Sequence, residues 1–292
     1  MGCLGLVSLG CDGGRARIPE GTGPLNAEDA ARYVLELVNR DRAEEGLSPL
    51  EWDPVAARAA ERHARDMATH GFTAHWGTDG SVPEQRYTEA GGRYLVRENA
   101  ACFFDGKPRE LDPNPLFERS ELEKIELAFI SEVPPHDGHR KNILEPTHTQ
   151  GGIGLAKPVG IRQACMAQEL VGAFGEFDEL PESARPSSKV RVSGEVHEPV
   201  RIGGIGVKRL PLPTPRTVAD LNQTSSYPVP APDVLYFPPG YQTPLPVKVE
   251  GARFELDVPL GKAGLYEISV WGAFPGEGDQ LKMVSLRTLR VE

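Results

Sequence analysis

The chain has 292 residues, about two domains' worth, and its composition of 39% hydrophobic and 25% charged residues is that of a folded protein rather than a disordered one. Its formal charge of −10 argues against a nucleic-acid partner, because phosphate binding draws on a basic surface. No apolar run reaches the ~18 residues that a membrane-crossing helix needs.

Residues 1–25 read as a leader and linker. Leu4 to Leu9 form a short apolar stretch before Gly10-Cys11, like the tail of an export signal that lacks its basic start. Leu9-Gly10-Cys11 also resembles the end of a bacterial lipoprotein cleavage site, which makes Cys11 a lipidation candidate, although Ser8 sits where a leucine is usual. The alternative is a leader with two incidental thiols, Cys3 and Cys11. Leu6 excludes myristoylation, which needs Ser or Thr there. The expected location is extracellular or in the cell envelope.

The first helix opens at Asn26 as cap, carries Ala30, Tyr33, Val34, Leu37 and Val38 on one stripe, and ends at Gly46. The second opens with Asp53 and Pro54, turns Ala56, Ala60, His63, Ala64 and Met67 inward, and stops at Gly71. Residues 94–104 alternate as a strand, placing Glu98 on the face of Tyr94, Val96, Ala100 and Cys102. A third helix is expected over about 116–132, with Glu132 on the side of Leu122, Ile125 and Phe129. A carboxylate on an apolar stripe needs a partner, because a bare charge is expensive to desolvate. Residues 151–156 and 164–172 read as two more strands.

Near residue 180 the pattern changes. A Pro/Ser-rich connector over 179–188 separates a domain at 26–178 from an all-β sandwich at 189–292, immunoglobulin-like in its spacing. Tyr266, just after Gly264-Leu265, falls where such sandwiches carry a tyrosine corner. The Pro-rich 209–246 stretch is too long for a hairpin and matches no element. The expected fold class is α+β. In an exported protein Cys102 and Cys165, each in a strand-like stretch, are candidates for a disulfide.

Six of the seven histidines fall between residues 63 and 148. His63 among alanines reads as a satisfied boundary histidine, His70 as a helix C-terminal one, and His148 and His197 as structural or solvent-facing. His75 lies in an irregular stretch, and His136 and His139 flank an Asp-Gly turn. Two inward glutamates and two loop histidines are the ingredients of a metal site, of acid/base chemistry or of a self-satisfied polar core.

At these residues a resemblance enters. LELVNRDRAEEGLSPLEWDP, AAERHARDMATHGFTAH, RENAA and GHRKNILEPTHTQGGIG, in that order, resemble the CAP superfamily of cysteine-rich secretory, antigen 5 and pathogenesis-related proteins, in its short bacterial form. The likeness spans about 26–177 and implies an α-β-α sandwich with a central cleft. It implies His75, Glu98, Glu132 and His139 as the cleft tetrad, with Phe129 where tryptophan is common and Arg97 where glycine is usual. Arg97 is then expected either to neutralise Glu98 or to obstruct the cleft entrance.

The implied cofactor is zinc or another divalent cation, with no organic group. The expected function is an exported binding module for a lipid, peptide, glycan or surface protein. One alternative is a zinc-assisted hydrolase with Glu98 or Glu132 as catalytic base. Another is an envelope adhesion protein whose β-domain stacks Trp271, Tyr236 or Tyr241 on glycan.

Overall fold

A computed structural model describes residues 21–224, 226–278 and 280–292. The leader with Cys3 and Cys11 lies outside the described residues. Asn26 caps helix α1 (Ala27–Glu44) by accepting from the Asp29 amide at 3.0 Å. After strand β1 (Glu51–Trp52), Asp53 caps α2 (Pro54–His70) through the Val55 amide at 2.7 Å, and Gly71 ends it in the left-handed conformation. Helix α3 (Pro83–Glu89) leads to β2 (Val96–Ala101). Helices α4 (Arg119–Ile130) and α5 (Gly138–Ile143) then precede β3 (Gln150–Ala156) and β4 (Cys165–Val171).

These strands form one sheet in the order β1-β3-β4-β2, so β2 is an edge strand. Leu35, Val38, Leu122, Phe129 and Ile143 pack on one face with Ile153, Leu155 and Leu170. The alanine-rich side of α2 packs on the other face. That second layer is unusually close. A Cβ added at Gly152 would lie 2.0 Å from the Ala57 nitrogen, and one at Gly154 would lie 2.1 Å from the Ala60 carbonyl carbon. The glycines of β3 and the alanines of α2 therefore form one contact, which lets helix backbone lie on strand backbone. This is the α-β-α sandwich that the resemblance implies.

The expected third helix starts later, because Phe117 exchanges backbone hydrogen bonds with Leu25 in an isolated bridge and so stays extended. It also ends earlier, leaving Glu132 two residues beyond α4.

The β-domain begins before residue 189. Strands β5 (Gly175–Phe177) and β6 (Ser183–Ala184) already belong to its sheets, followed by β7 (Lys189–Val196), β8 (Arg201–Leu210) and a one-turn helix α6 (Val218–Leu221). Strands β9 (Val234–Tyr236), β10 (Lys248–Glu250), β11 (Arg253–Pro259), β12 (Gly264–Ala273) and β13 (Leu281–Val291) complete it. Two sheets, β10-β11-β7-β5 and β6-β13-β12-β8-β9, enclose a core that includes Val190, Val192, Phe254, Ile268, Val270 and Leu289. The Tyr266 hydroxyl donates to the Lys262 carbonyl at 2.9 Å and accepts from the Gly261 amide at 3.0 Å, which makes it a tyrosine corner.

The connection over 211–233 is a strap laid across the first domain. Leu221 is fully buried against Met67, Phe72 and Ala74. Asn222 accepts from the Thr73 amide and donates to the carbonyls of Gly71 and Phe104. Arg216 lies over the Trp76 ring at 4.7 Å, and Tyr227 packs edge-on against the same ring at 5.0 Å. Among the described residues no helix is long and apolar enough to cross a membrane.

Candidate functional site

The free edge of β2 organises the site. Side chains alternate along it, so Glu98 turns toward the α2–α3 layer while Arg97 and Asn99 turn the other way. Asn142 of α5 satisfies the exposed edge by donating to the Glu98 carbonyl at 3.2 Å and to Asn99 Oδ1 at 2.9 Å. Asn99 in turn donates to the His139 carbonyl at 3.3 Å and to Gln168 Oε1 at 3.0 Å, and Gln168 donates to the buried Glu126. A polar network therefore runs from the cleft into the space between α4 and the sheet.

The four expected residues meet as two hydrogen-bonded pairs. His75 Nδ1 donates to Glu98 Oε1 at 2.9 Å. His139 Nδ1 donates to Glu132 Oε1 at 2.6 Å, and the His139 amide donates to Glu132 Oε2 at 2.9 Å. The Phe129 ring packs against the His139 ring, with centroids 4.4 Å apart and planes tilted by 33°. All four residues line one cleft of about 420 Å³, together with His136, Asn142 and, from the strap, Ser226, Tyr227 and Val229. A larger groove of about 880 Å³ runs along α4 but carries no histidine.

Glu98 is held from several sides. Its side chain is 1% exposed, and Arg86 of α3, equally buried, donates to Oε2 at 2.6 Å. His63 Nε2 lies 3.7 Å from Oε1. Burial alone would raise this carboxyl, but the Arg86 charge and the His75 hydrogen bond outweigh it and hold it well below the usual carboxylate range. Arg86, not Arg97, is thus the neutralising cation.

His63 is fully buried rather than at a boundary, with Nε2 on the Ala74 carbonyl at 2.7 Å and Nδ1 without a hydrogen-bond partner among the described residues. Burial first, and then the Arg86 charge, pull its pKa down to about 4, so it stays neutral. Facing Glu98 across the β2–β4 register is Glu169, fully buried, whose pKa burial and the Glu98 charge push well above the usual range. One member of that carboxyl pair keeps its proton. His70 and His148 bond backbone carbonyls, of Asp66 and Asn142, and His197 is exposed; none of these three enters the cleft.

The donor set decides what the site can hold. Each oxygen of Glu98 and of Glu132 already accepts a hydrogen bond, from Arg86 and His75 on the first and from two donors of His139 on the second. Among the described residues no three His, Cys, Asp or Glu side chains are placed to share an ion. A carboxylate only accepts, so each Nδ1 carries a proton; in a neutral ring Nε2 then keeps its lone pair, an arrangement common behind metal-bound histidines. Cys102 and Cys165 are joined in a disulfide with Cα atoms 4.3 Å apart, tying the end of β2 to the start of β4.

Sequence reading missed Arg86, Asn142, Glu126, Glu169 and the strap residues. Arg86 and Asn142 lie on helices of six or seven residues, too short for periodicity to orient them.

Residues 35–159 match the CAP family, the Cysteine-rich secretory protein family. Over 134 residues the chain is 24% identical to the uncharacterized protein YkwD of Bacillus subtilis (strain 168), covering 46% of this chain and 45% of that protein. The chain thus spans less than half the length of this curated relative. Among solved structures it is similar to an extracellular protein containing an SCP domain from Bacillus anthracis str. Ames, at 20% identity and a TM-score of 0.38 over 50% of this chain and 41% of the other. It also overlaps the PmoD soluble domain from Methylocystis sp. ATCC 49242 (Rockwell), at 13% identity and a TM-score of 0.23 over 49% of this chain and 90% of the other. The family match, the motif order and the layered fold together identify residues 35–159 as a CAP domain, continued in this chain by a β-sandwich.

Proposed function

We propose that the chain is an exported binding protein whose His/Glu cleft holds a divalent cation, zinc by donor type, through Nε2 of His75 and His139. The observation that carries this reading is the pinning of both imidazoles by carboxylates within one cleft. Glu98 and Glu132 act behind the histidines, orienting the rings. With only two protein ligands, a bound ion keeps open positions and supplies an electrophilic anchor for an oxygen of a ligand.

Binding is favoured over hydrolysis by the state of the carboxylates. A general base works best with a pKa near the operating pH, and Glu98 is held well below even the usual carboxylate range. Glu98 is locked by Arg86 and His75, and Glu132 by two donors of His139. Export is supported by the Cys102–Cys165 bridge, which belongs to an oxidising compartment, and by the family's description as secretory.

Calorimetric titration of zinc into the full chain tests the reading. One-to-one binding is expected, lost in His75→Ala and His139→Ala and weakened about 10–100-fold in Glu132→Gln, which keeps both imidazoles but loosens one. Absence of binding in the wild type, or binding that survives both histidine substitutions, overturns it.

A further inference from the structure

Arg97 lines the His/Glu cleft and also a second chamber of about 390 Å³ between the two domains. The second chamber is walled by Leu95 and Phe174, by Pro230 and Pro232 of the strap, and by Trp271 and Met283 of the β-domain. Val229 is the other side chain that borders both spaces, so the chambers meet where the strap passes Arg97. The Trp271 ring is fixed by its Nε1 hydrogen bond to Ser269 Oγ at 2.9 Å.

The charges of the two chambers are otherwise settled. Glu98 is held by Arg86 and His75, and Glu132 by His139. Glu84 accepts from the Tyr227 hydroxyl, Glu145 from Thr147, and Lys282 donates to Glu277. Arg97 alone among these Arg, Lys, Asp and Glu side chains has no hydrogen-bond or ion-pair partner among the described residues, although it is half-buried. A partly desolvated guanidinium with five unmatched donors suits a planar or tetrahedral anion.

We propose that the junction of the two chambers is an anion-binding subsite, in which Arg97 takes a carboxylate or phosphate of a ligand whose flat apolar body lies against Trp271, Pro230 and Pro232. The β-domain is then part of the binding site. The CAP domain supplies the cation, and the sandwich with its strap supplies the platform. The subsite does not depend on a metal in the cleft.

The test is an NMR-monitored titration of the full chain, in buffer freed of metal by chelating resin. The probes are 2-naphthoate, 2-naphthyl phosphate and the neutral 2-naphthalenemethanol. At least one anion is expected to bind ~10-fold or more tightly than the neutral probe, the scale of a charge-assisted hydrogen-bonded contact. Whichever anion binds better identifies the ligand's charged group. Arg97→Gln should abolish the preference, while Arg97→Lys retains part of it. Trp271→Leu should weaken all the probes that bind. The melting temperature of Arg97→Gln should stay near wild type, which separates lost binding from lost folding. Equal affinities for the three probes, no binding of any, or a preference that survives Arg97→Gln overturns the proposal.

Discussion

Replacing Arg86 with methionine is expected to lower the free energy of unfolding by about 3–5 kcal/mol, the range for removing one partner of a buried ion pair. The substitution keeps most of the side-chain length but strands Glu98, whose side chain is 1% exposed. It also removes donors from the carbonyls of Ser81 and His75, each 3.0 Å from the guanidinium. The effect has a pH signature.

In the wild type the Glu98 carboxyl is held below its ordinary value of 4.5, so the folded state binds fewer protons there than the unfolded state. Its stabilising contribution is full above that value and is lost as pH falls below it. Without Arg86, burial becomes the dominant influence and raises the carboxyl instead. That reverses the sign, and the variant should lose stability as pH rises. Urea unfolding at pH 5 and pH 8 reads both effects, with the gap between wild type and variant wider at pH 8. A loss below about 1 kcal/mol, equal at both pH values, would show that the histidines suffice to hold Glu98. Arg97→Met is the control, expected within about 0.5 kcal/mol, since no hydrogen bond or ion pair to the described residues is lost.

Removing the Cys102–Cys165 bridge by a double substitution to alanine is the second large effect. The bridge closes a loop with a sequence separation of 63 residues. Chain entropy alone assigns it about 4 kcal/mol, within the 2–5 kcal/mol range that loss of native disulfides usually spans. The loop contains Glu132 and His139, and its ends lie on the two strands that carry Glu98 and Glu169. Denaturant unfolding of the variant should coincide with that of the wild type in excess reductant and lie well below the oxidised protein. Oxidised and reduced wild type unfolding within about 0.5 kcal/mol of each other would contradict this.

Much of the first domain was legible because its signals are local. Asn26, Asp53, Pro54 and Gly71 mark helix ends through chemistry that acts within a few residues, and the structure uses each of them there. Glu98 was legible as inward-facing because a strand alternates strictly, and the resemblance supplied the three partners that alternation cannot. What failed to read were features set by distant chain. Arg86 reaches Glu98 only because α3 packs beside the edge of β2. Phe117 is extended rather than helical because Leu25 pairs with it. Strands β5 and β6, of three and two residues, are too short to alternate visibly, so the sandwich appeared to begin at 189. The 211–233 stretch has a proline-rich, loop-like composition, and its order comes from the first domain, where Leu221 fills a gap among Met67, Phe72 and Ala74.

The account depends most on the tautomers of His75 and His139, and long-range ¹H–¹⁵N correlation spectroscopy of the imidazole nitrogens reads them directly in metal-free protein near neutral pH. Both residues should show a protonated Nδ1 and a bare Nε2, the form that donates to Glu98 and Glu132 and leaves a lone pair for a cation. Added zinc should then shift the two Nε2 signals and no other histidine nitrogen so strongly. A proton on Nε2 in either residue, with Nδ1 bare, would mean that the carboxylate pairs do not set the rings and that the cleft is not prepared for a metal ion.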